Sequence, residues 1–292
     1  MSYIYYPGCS AHAGGRAYDE SIQAIAPKLG VELKELEDWN CCGATAYMNV
    51  NEVLSFSLTA RNLALAEKEN KPVCTACSAC YTNLAKTNVY LHKFPELKAK
   101  VDTALAEANL TYNGNVETKH FLDVVVTAIG LDKVKSLVKK PLSGLKVAPY
   151  YGCQILRPLS GEKDPENPVM LEQLLEAIGA TPTKFALKTW CCGGSLMGTN
   201  DAVALRLCRN LLMNAVEDGA DVIAVTCPLC QTNLEAFQPR VNAMFGTSFK
   251  IPVLYFTQLM GMAFDMPDRS LGLARSIIPL TVRSKPNPEV RA

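Results

Sequence analysis

The sequence predicts an α/β protein built from two pseudo-symmetric cysteine-rich modules, each with a small parallel sheet and flanking helices. Three observations predict it. The 292 residues, 49% of them hydrophobic, are enough for two ordinary domains with well-formed cores. The cysteines fall into two registered sets: Cys42 to Cys77 spans 35 positions, as does Cys192 to Cys227, and Cys80 and Cys230 each lie three further on. Short apolar segments alternate with helix-period stretches in the same order in both halves, as expected of parallel strands joined by helical crossovers.

Taken in order, a β-rich segment (Tyr3–Tyr6; Lys146–Tyr151) runs into a glycine turn bearing the first cysteine, Cys9 or Cys153. A helix-period stretch follows (Ala17–Leu29; Met170–Ile178), then an extended segment (Val31–Leu36; Lys184–Lys188) and the turns Cys41-Cys42-Gly43 and Cys191-Cys192-Gly193. A second helix (Val53–Glu69; Ala202–Glu217) leads to an apolar strand before the C-x-x-C loop. That strand is clear in Val222–Val225 and weaker in Pro72-Val73. Flanking residues repeat as well: Tyr5-Tyr6-Pro7-Gly8-Cys9 resembles Tyr150-Tyr151-Gly152-Cys153, Trp39 and Trp190 precede the paired cysteines, and Cys80-Tyr81-Thr82-Asn83-Leu84 matches Cys230-Gln231-Thr232-Asn233-Leu234. Between the halves, Ala85–Ala108 and Glu117–Lys140 read as helical, separated by Asn109–Asn115. The expected domains are residues 1–140, the first module with this helical insertion, and 145–267, the second; 268–292 is a basic, proline-containing tail that packs on its own domain or on a partner.

A formal net charge of +1, from 29 basic and 28 acidic side chains, gives no electrostatic footprint for nucleic acid and no polybasic membrane patch. The first residues lack the charged and apolar regions of a signal peptide, and no apolar run is long enough to span a bilayer, so the expectation is a cytoplasmic chain without a transmembrane segment. In a reducing compartment, clustered cysteines point to metal binding or catalysis rather than to disulfides.

Thiolates suit iron–sulfur clusters, zinc and copper(I). Each half offers five registered cysteines, one more than a tetrahedral zinc site uses, and the side chains of an adjacent pair diverge too much to serve one ion easily. A centre with several irons accepts neighbouring thiolates on different metals; zinc in one half stays open. Cys74-x-x-Cys77-x-x-Cys80 starts like a ferredoxin motif, but Leu84 and Ala85 stand where its last cysteine and proline belong. A thioredoxin-like reading leaves Cys9, Cys41 and Cys42 without a role. No G-x-G-x-x-G or P-loop occurs, so no nucleotide is indicated.

The pattern Cys9-x31-Cys41-Cys42-Gly43-x33-Cys77-x2-Cys80, repeated as Cys153-x37-Cys191-Cys192-Gly193-x33-Cys227-x2-Cys230, resembles the duplicated cysteine-rich CCG domain. Its best-known members are the B subunits of heterodisulfide reductases; relatives occur in type-E succinate dehydrogenases and fumarate reductases and in glycolate and glycerol-3-phosphate oxidases. The resemblance covers nearly the whole chain. It implies two Rossmann-like modules, each binding a noncubane [4Fe–4S] cluster, one through Cys9, Cys41, Cys42, Cys77 and Cys80 and the other through Cys153, Cys191, Cys192, Cys227 and Cys230. It further implies cleavage or formation of a disulfide between the clusters, with a ferredoxin-like C-type subunit and a flavoprotein A-type subunit as partners. Two rival functions stand beside it: a quinone-linked electron-transfer subunit of a succinate dehydrogenase or fumarate reductase, and a zinc-stabilised assembly module without catalysis.

Among the remaining residues, His12 is a candidate proton donor or cluster-tuning group, against the plainer expectation of a solvated loop histidine. Trp39 and Trp190 are expected to shield the clusters, and Gly8, Gly43, Gly152, Gly193 and Gly194 to let the backbone approach them or to adopt positive φ. Cys74 and Cys208, which have no counterparts, are expected as buried thiols, and His92 and His120 as surface or packing residues in helices. Phe256–Phe264 is expected in the core, with docking on a partner as the alternative.

Overall fold

The computed structural model describes residues 1–43 and 47–281. Each half forms a four-stranded, all-parallel sheet, and the strand order is the same in both: β2-β1-β3-β4 and β6-β5-β7-β8. The strands are β1 (Ser2–Tyr6), β2 (Glu32–Glu35), β3 (Val73–Thr75), β4 (Thr118–His120), β5 (Lys146–Tyr150), β6 (Thr181–Pro182), β7 (Val222–Val225) and β8 (Val253–Tyr255). The central strands β1 and β7 read as continuous apolar runs because helices cover both faces of a parallel sheet; Ile4, Tyr5, Tyr6 and all of Val222–Val225 are buried.

Two long helices precede the C-x-x-C loop in the first module. The first, α1 (Arg16–Leu29), ends at Gly30, whose left-handed conformation returns its N–H to Ala26 and Pro27. The second, α2 (Glu52–Glu67), starts at Asn51, whose side chain accepts from the N–H of Leu54. Beyond Cys77 the expected single helix over 85–108 is two, α3 (Ser78–Lys93) and α4 (Pro95–Ala106), because Pro95 cannot continue a helix but fits the first position of the next. The second module follows with α5 (Leu131–Leu137) leading into it, then α6 (Met170–Ala177), α7 (Asp201–Glu217), α8 (Pro228–Ala236), α9 (Gln238–Phe245) and α10 (Phe256–Ala263). Its longer first cysteine spacing lies in the loop 154–169, and α6 is short, 8 residues against 14 in α1.

Two expectations about strands are corrected. Thr118–His120, expected as helix, is the edge strand β4, three polar-flanked residues that pair only with β3. The extended segment expected at Lys184–Lys188 is a turn, and the strand lies earlier, at Thr181–Pro182, where Pro182 is tolerated because β6 is an edge.

The modules share one continuous hydrophobic core. Helix α1 packs on α10, with the hydroxyls of Ser21 and Thr257 2.6 Å apart. The end of the first expected domain bonds to the second module: the N–H groups of Lys139 and Lys140 both donate to the Ala263 carbonyl. Phe256–Phe264 is core, as expected, with Phe256, Leu259 and Met260 fully buried. The described part of the tail bridges both modules: Leu271 is buried against Gly261, and the Arg275 guanidinium pairs with Glu20 at 2.8 Å. Residues 282–292 lie outside the described residues. Among the described residues no helix is long and apolar enough to cross a membrane.

Candidate metal centre

The sulfur-bearing loops all follow strands at one edge of each sheet, where parallel α/β folds place their sites. Cys9 and Cys153 follow β1 and β5. Cys77 and Cys227 are the residues that cap α3 and α8, so Cys80 and Cys230 lie in the first helical turn, where the helix dipole favours a thiolate.

The ten predicted cysteines form one file of neighbouring thiols. In the first module Cys9 and Cys41 are 3.7 Å apart, and Cys42 and Cys80 are 3.4 Å apart. Cys41 lies near enough to Cys42, and Cys80 to Cys77, to act on its titration. In the second, Cys192 and Cys230 are 3.4 Å apart, while Cys191 lies near enough to Cys153 and Cys192, and Cys230 to Cys227, to act on their titration. The two halves of the file come together at Cys77 and Cys227, near enough for each thiol to shift the other's pKa. These separations are far beyond the ~2.05 Å of a disulfide, and all twelve cysteines are free thiols. The middle of the file is buried (Cys42, Cys77, Cys80, Cys192, Cys227 and Cys230), and Cys9, Cys41 and Cys191 reach the surface. Among the described residues, no three or more His, Cys, Asp or Glu side chains close around one single-ion position.

Crowding sets the protonation of these thiols. Hydrogen bonding to neighbouring sulfurs, then burial, pushes Cys41, Cys80, Cys153 and Cys230 above the ordinary thiol range. Cys77 is pushed up, first by its bond to Cys227, and Cys192 by its bond to Cys191. Cys191, accepting first from Cys153 and then from Cys192, is pulled down to about 2. Cys227, accepting from Cys230 and Cys77, is also lowered. Like charges at contact cannot all ionise, so full deprotonation of such a file requires cationic metal. Five thiols per module, contacting pairwise instead of converging on a point, are a donor set that fits a polynuclear iron–sulfur group.

The backbone holds the loops in the same way twice. Gly8 (φ 74°) and Gly152 (φ 68°) turn the chain ahead of the first cysteine, and a Cβ on them would stand 2.9 Å from the Cys80 sulfur and 3.2 Å from the Cys230 sulfur. Only glycine therefore admits the sulfur there. The buried hydroxyls of Tyr6 and Tyr150 donate, each at 2.7 Å, to the carbonyls of Asn40 and Trp190, the residues before the cysteine pairs. Asn83 and Asn233 donate to the carbonyls of Cys42 and Cys192 at 2.9 and 2.6 Å. A residue from the preceding helix reaches the same carbonyls: Thr59 donates to Cys42 at 3.0 Å, Cys208 to Cys192 at 3.4 Å. Sequence reasoning missed the tyrosines and Thr59, although the Tyr and Asn positions lie in the repeated flanks.

The other predicted residues separate. Cys208 is buried, as expected, with its pKa pushed up by burial to about 12, and it also positions the cysteine pair. Cys74 is a fully buried thiol in β3. His12 is exposed and stacks on Trp39 with ring centroids 5.7 Å apart, and Trp39 also packs edge-on against Tyr6. Trp190 is corrected: it is 52% exposed, because the residue in register with it is Asn40, not Trp39. Gly194 makes way for Leu229, not for sulfur. His92 is exposed beside Gly114. His120 is corrected from a helix to the end of β4, buried at the seam.

That seam converges on the carbonyl of Thr226, the residue before Cys227. It accepts from the Tyr18 hydroxyl at 3.3 Å, the Ser78 hydroxyl at 3.1 Å and His120 Nε2 at 3.2 Å, all from the first module. Beside it lies a small cavity of about 60 Å³. All five cysteines of the second set line it, with Tyr151 and Leu229, and Ser78 and Ala79 reach it from the first module's C-x-x-C loop.

Comparison with known proteins agrees with this architecture. The profile of the CCG cysteine-rich domain matches residues 3–85 and again 147–235. The chain is 35% identical over 96% of its length to a protein named 8-methylmenaquinol:fumarate reductase membrane anchor subunit from Wolinella succinogenes, covering 98% of that protein. It is 31% identical over 94% of its length to the B subunit of a ferredoxin/F(420)H(2)-dependent CoB-CoM heterodisulfide reductase from Methanosarcina acetivorans, covering 92% of it. A solved structure of a hypothetical protein from Helicobacter pylori shares the fold at a TM-score of 0.77 and 17% identity; it matches 96% of this chain, which spans about half, 52%, of that one. With the domain present in both halves and relatives matched almost end to end, the chain belongs to the CCG cysteine-rich domain family.

Proposed function

We propose that this chain is an iron–sulfur oxidoreductase subunit of a heterodisulfide-reductase-like complex, which reduces or forms a disulfide or related sulfur species at the seam between its modules. The observation that carries the reading is the file of ten thiols, continuous across the seam through Cys77 and Cys227, beside a cavity walled by both modules. Cys9, Cys41, Cys42, Cys77 and Cys80 would hold one noncubane [4Fe–4S] group, and Cys153, Cys191, Cys192, Cys227 and Cys230 the other. When bound, the two groups supply electrons one at a time, and disulfide reduction consumes two. The protein's share is placement: the second group would occupy the cavity its five cysteines line, with Ser78 and Ala79 from the first module closing the opposite wall, and a substrate would meet it from the seam. Bringing both sets to one ligand replaces two encounters by one oriented complex. A ferredoxin-like C-type subunit and a flavoprotein A-type subunit are the partners such a role requires, since no nucleotide motif occurs in the chain.

A second reading is a quinone-linked electron-transfer subunit of a fumarate reductase, favoured by the 35% identity to a fumarate reductase subunit. One experiment separates the two. Anaerobically purified protein is analysed for iron and acid-labile sulfide, and its EPR signals are followed on adding small disulfides or a menaquinol analogue. The disulfide reading expects iron and sulfide for two four-iron groups and a signal change with a disulfide. A response to the quinol alone overturns it in favour of the second reading, and zinc without sulfide overturns both.

A further inference from the structure

Tyr255 is the last residue of β8, paired in register with Val225, two residues before Cys227. It is 1% exposed, and its ring stacks on that of Tyr18 with centroids 4.1 Å apart and planes 10° from parallel. Its backbone N–H is satisfied by Gln258 Oε1 at 3.0 Å. The hydroxyl itself is buried and has no hydrogen-bond partner among the described residues. The stacked neighbour differs: the Tyr18 hydroxyl donates to the Thr226 carbonyl. So does the residue at the corresponding place in the first sheet, His120, paired with Thr75 as Tyr255 is with Val225; it uses both ring nitrogens, accepting from Leu122 and bonding Thr226.

Buried donors in native proteins are usually paired, so an orphan calls for an explanation such as a water, an ion or a redox group. After burial, the groups that act most strongly on the Tyr255 phenol are the sulfurs of Cys227 and Cys77. Resting on the two-cluster reading, we propose that the Tyr255 hydroxyl donates a hydrogen bond to a sulfur of the iron–sulfur group held by Cys227, which raises the reduction potential of the second module's group above that of the first. A donor on a cluster sulfur stabilises the more negative, reduced state. The first module has His120 at this place, and its Nε2 is spent on a carbonyl. The electron therefore settles on the group whose cysteines line the cavity.

The test is an EPR-monitored redox titration of the anaerobic full-length chain, with Tyr255→Phe and Tyr18→Phe beside the natural protein and iron and sulfide measured in each. Tyr255→Phe keeps the stacked ring and removes only the unpaired oxygen. The expected result is unchanged iron and sulfide, with one of two signals becoming roughly tenfold harder to reduce, a shift of about −59 mV for a one-electron couple. Tyr18→Phe should leave both potentials in place, because its hydroxyl already has a carbonyl. Full iron with unmoved potentials in Tyr255→Phe overturns the proposal. So does loss of iron from Tyr255→Phe while Tyr18→Phe retains it, since the hydroxyl would then act on assembly instead of on potential. Absence of iron and sulfide from the natural protein is a different failure, of the two-cluster reading itself.

Discussion

His120 makes the seam between the modules sensitive to acid in a way that can be measured. Its Nδ1 accepts the Leu122 N–H at 3.1 Å, so the ring proton sits on Nε2, which donates to Thr226. Burial lowers its pKa from 6.5 to about 4, and the carbonyls of Ala76 and Thr226 offset only part of that. A second proton would have to go on Nδ1, where it would face the Leu122 N–H. Below pH 6.5 the unfolded chain takes up this proton and the folded chain does not, so stability present at neutral pH falls as the pH drops and is lost once it passes through about 4. The shift corresponds to about 3 kcal/mol in full. In urea unfolding near neutral pH, His120→Gln should be about 1–3 kcal/mol less stable than the natural protein, because a buried bond is disturbed. Near pH 4 the gap should close or reverse, since only the natural protein loses the histidine contribution. The comparison cancels the acid response of Asp19, Glu162 and Glu235, whose pKa values burial raises. With three histidines in the chain, an NMR titration gives an independent check. Parallel pH profiles for the two proteins, or a His120 resonance titrating near 6.5, would refute the reasoning.

Three further outcomes follow from the loops. Gly8→Ala forces a side chain into φ 74°, ψ 160°, a region essentially reserved for glycine, at a cost of about 1–3 kcal/mol; because the new Cβ meets the Cys80 sulfur, iron content should fall more than the melting temperature alone implies. Cys208→Ala should destabilise the second module by about 1–2 kcal/mol, whereas Cys208→Thr, which copies the Thr59 arrangement, should recover most of that; equal losses in denaturant midpoints would show that Cys208 only fills space. Tyr150→Phe removes the donor to the Trp190 carbonyl and should cost about 1 kcal/mol and speed proteolysis in the Cys191–Gly193 turn, and an unchanged digestion pattern would count against that hydroxyl as a clamp.

The cysteine sets were legible because a ligand role demands one residue type at fixed intervals, and a duplicated ligand set repeats those intervals. The central strands were legible for a similar reason: Val222–Val225 is buried on both faces and has no polar alternative. The edge strands were legible only in part: β2 lies within the expected Val31–Leu36, but β4 and β6 were not foreseen. Thr118–His120 and Thr181–Pro182 pair on one side only, so nothing in their composition demands a strand. Trp190 misled by type: a second tryptophan near a second cysteine pair suggested an equivalent role, but it lies one position out of register and 52% exposed. The contacts that fix the loops were hidden because their acceptors are carbonyls. Asn40, Trp190, Cys42, Cys192 and Thr226 are held through backbone atoms that every residue carries.

Those carbonyl contacts also explain how two modules with one plan come to differ at their junction. Within each module the hydroxyl of Tyr6 or Tyr150 and the amide of Asn83 or Asn233 set the cysteine pair relative to the sheet, so each sulfur set is a rigid property of its own fold. The distance between the sets depends instead on how the modules dock. An apolar seam alone would tolerate sliding, because hydrophobic contact is non-directional. Three donors from β4, α1 and α3 on a single carbonyl do not tolerate it: a displacement that breaks one loosens all three. That carbonyl belongs to the residue before Cys227, and one donor, Ser78, follows Cys77 directly. The polar clamp therefore acts at the point where the two halves of the thiol file meet, fixing the separation on which any chemistry shared between them depends.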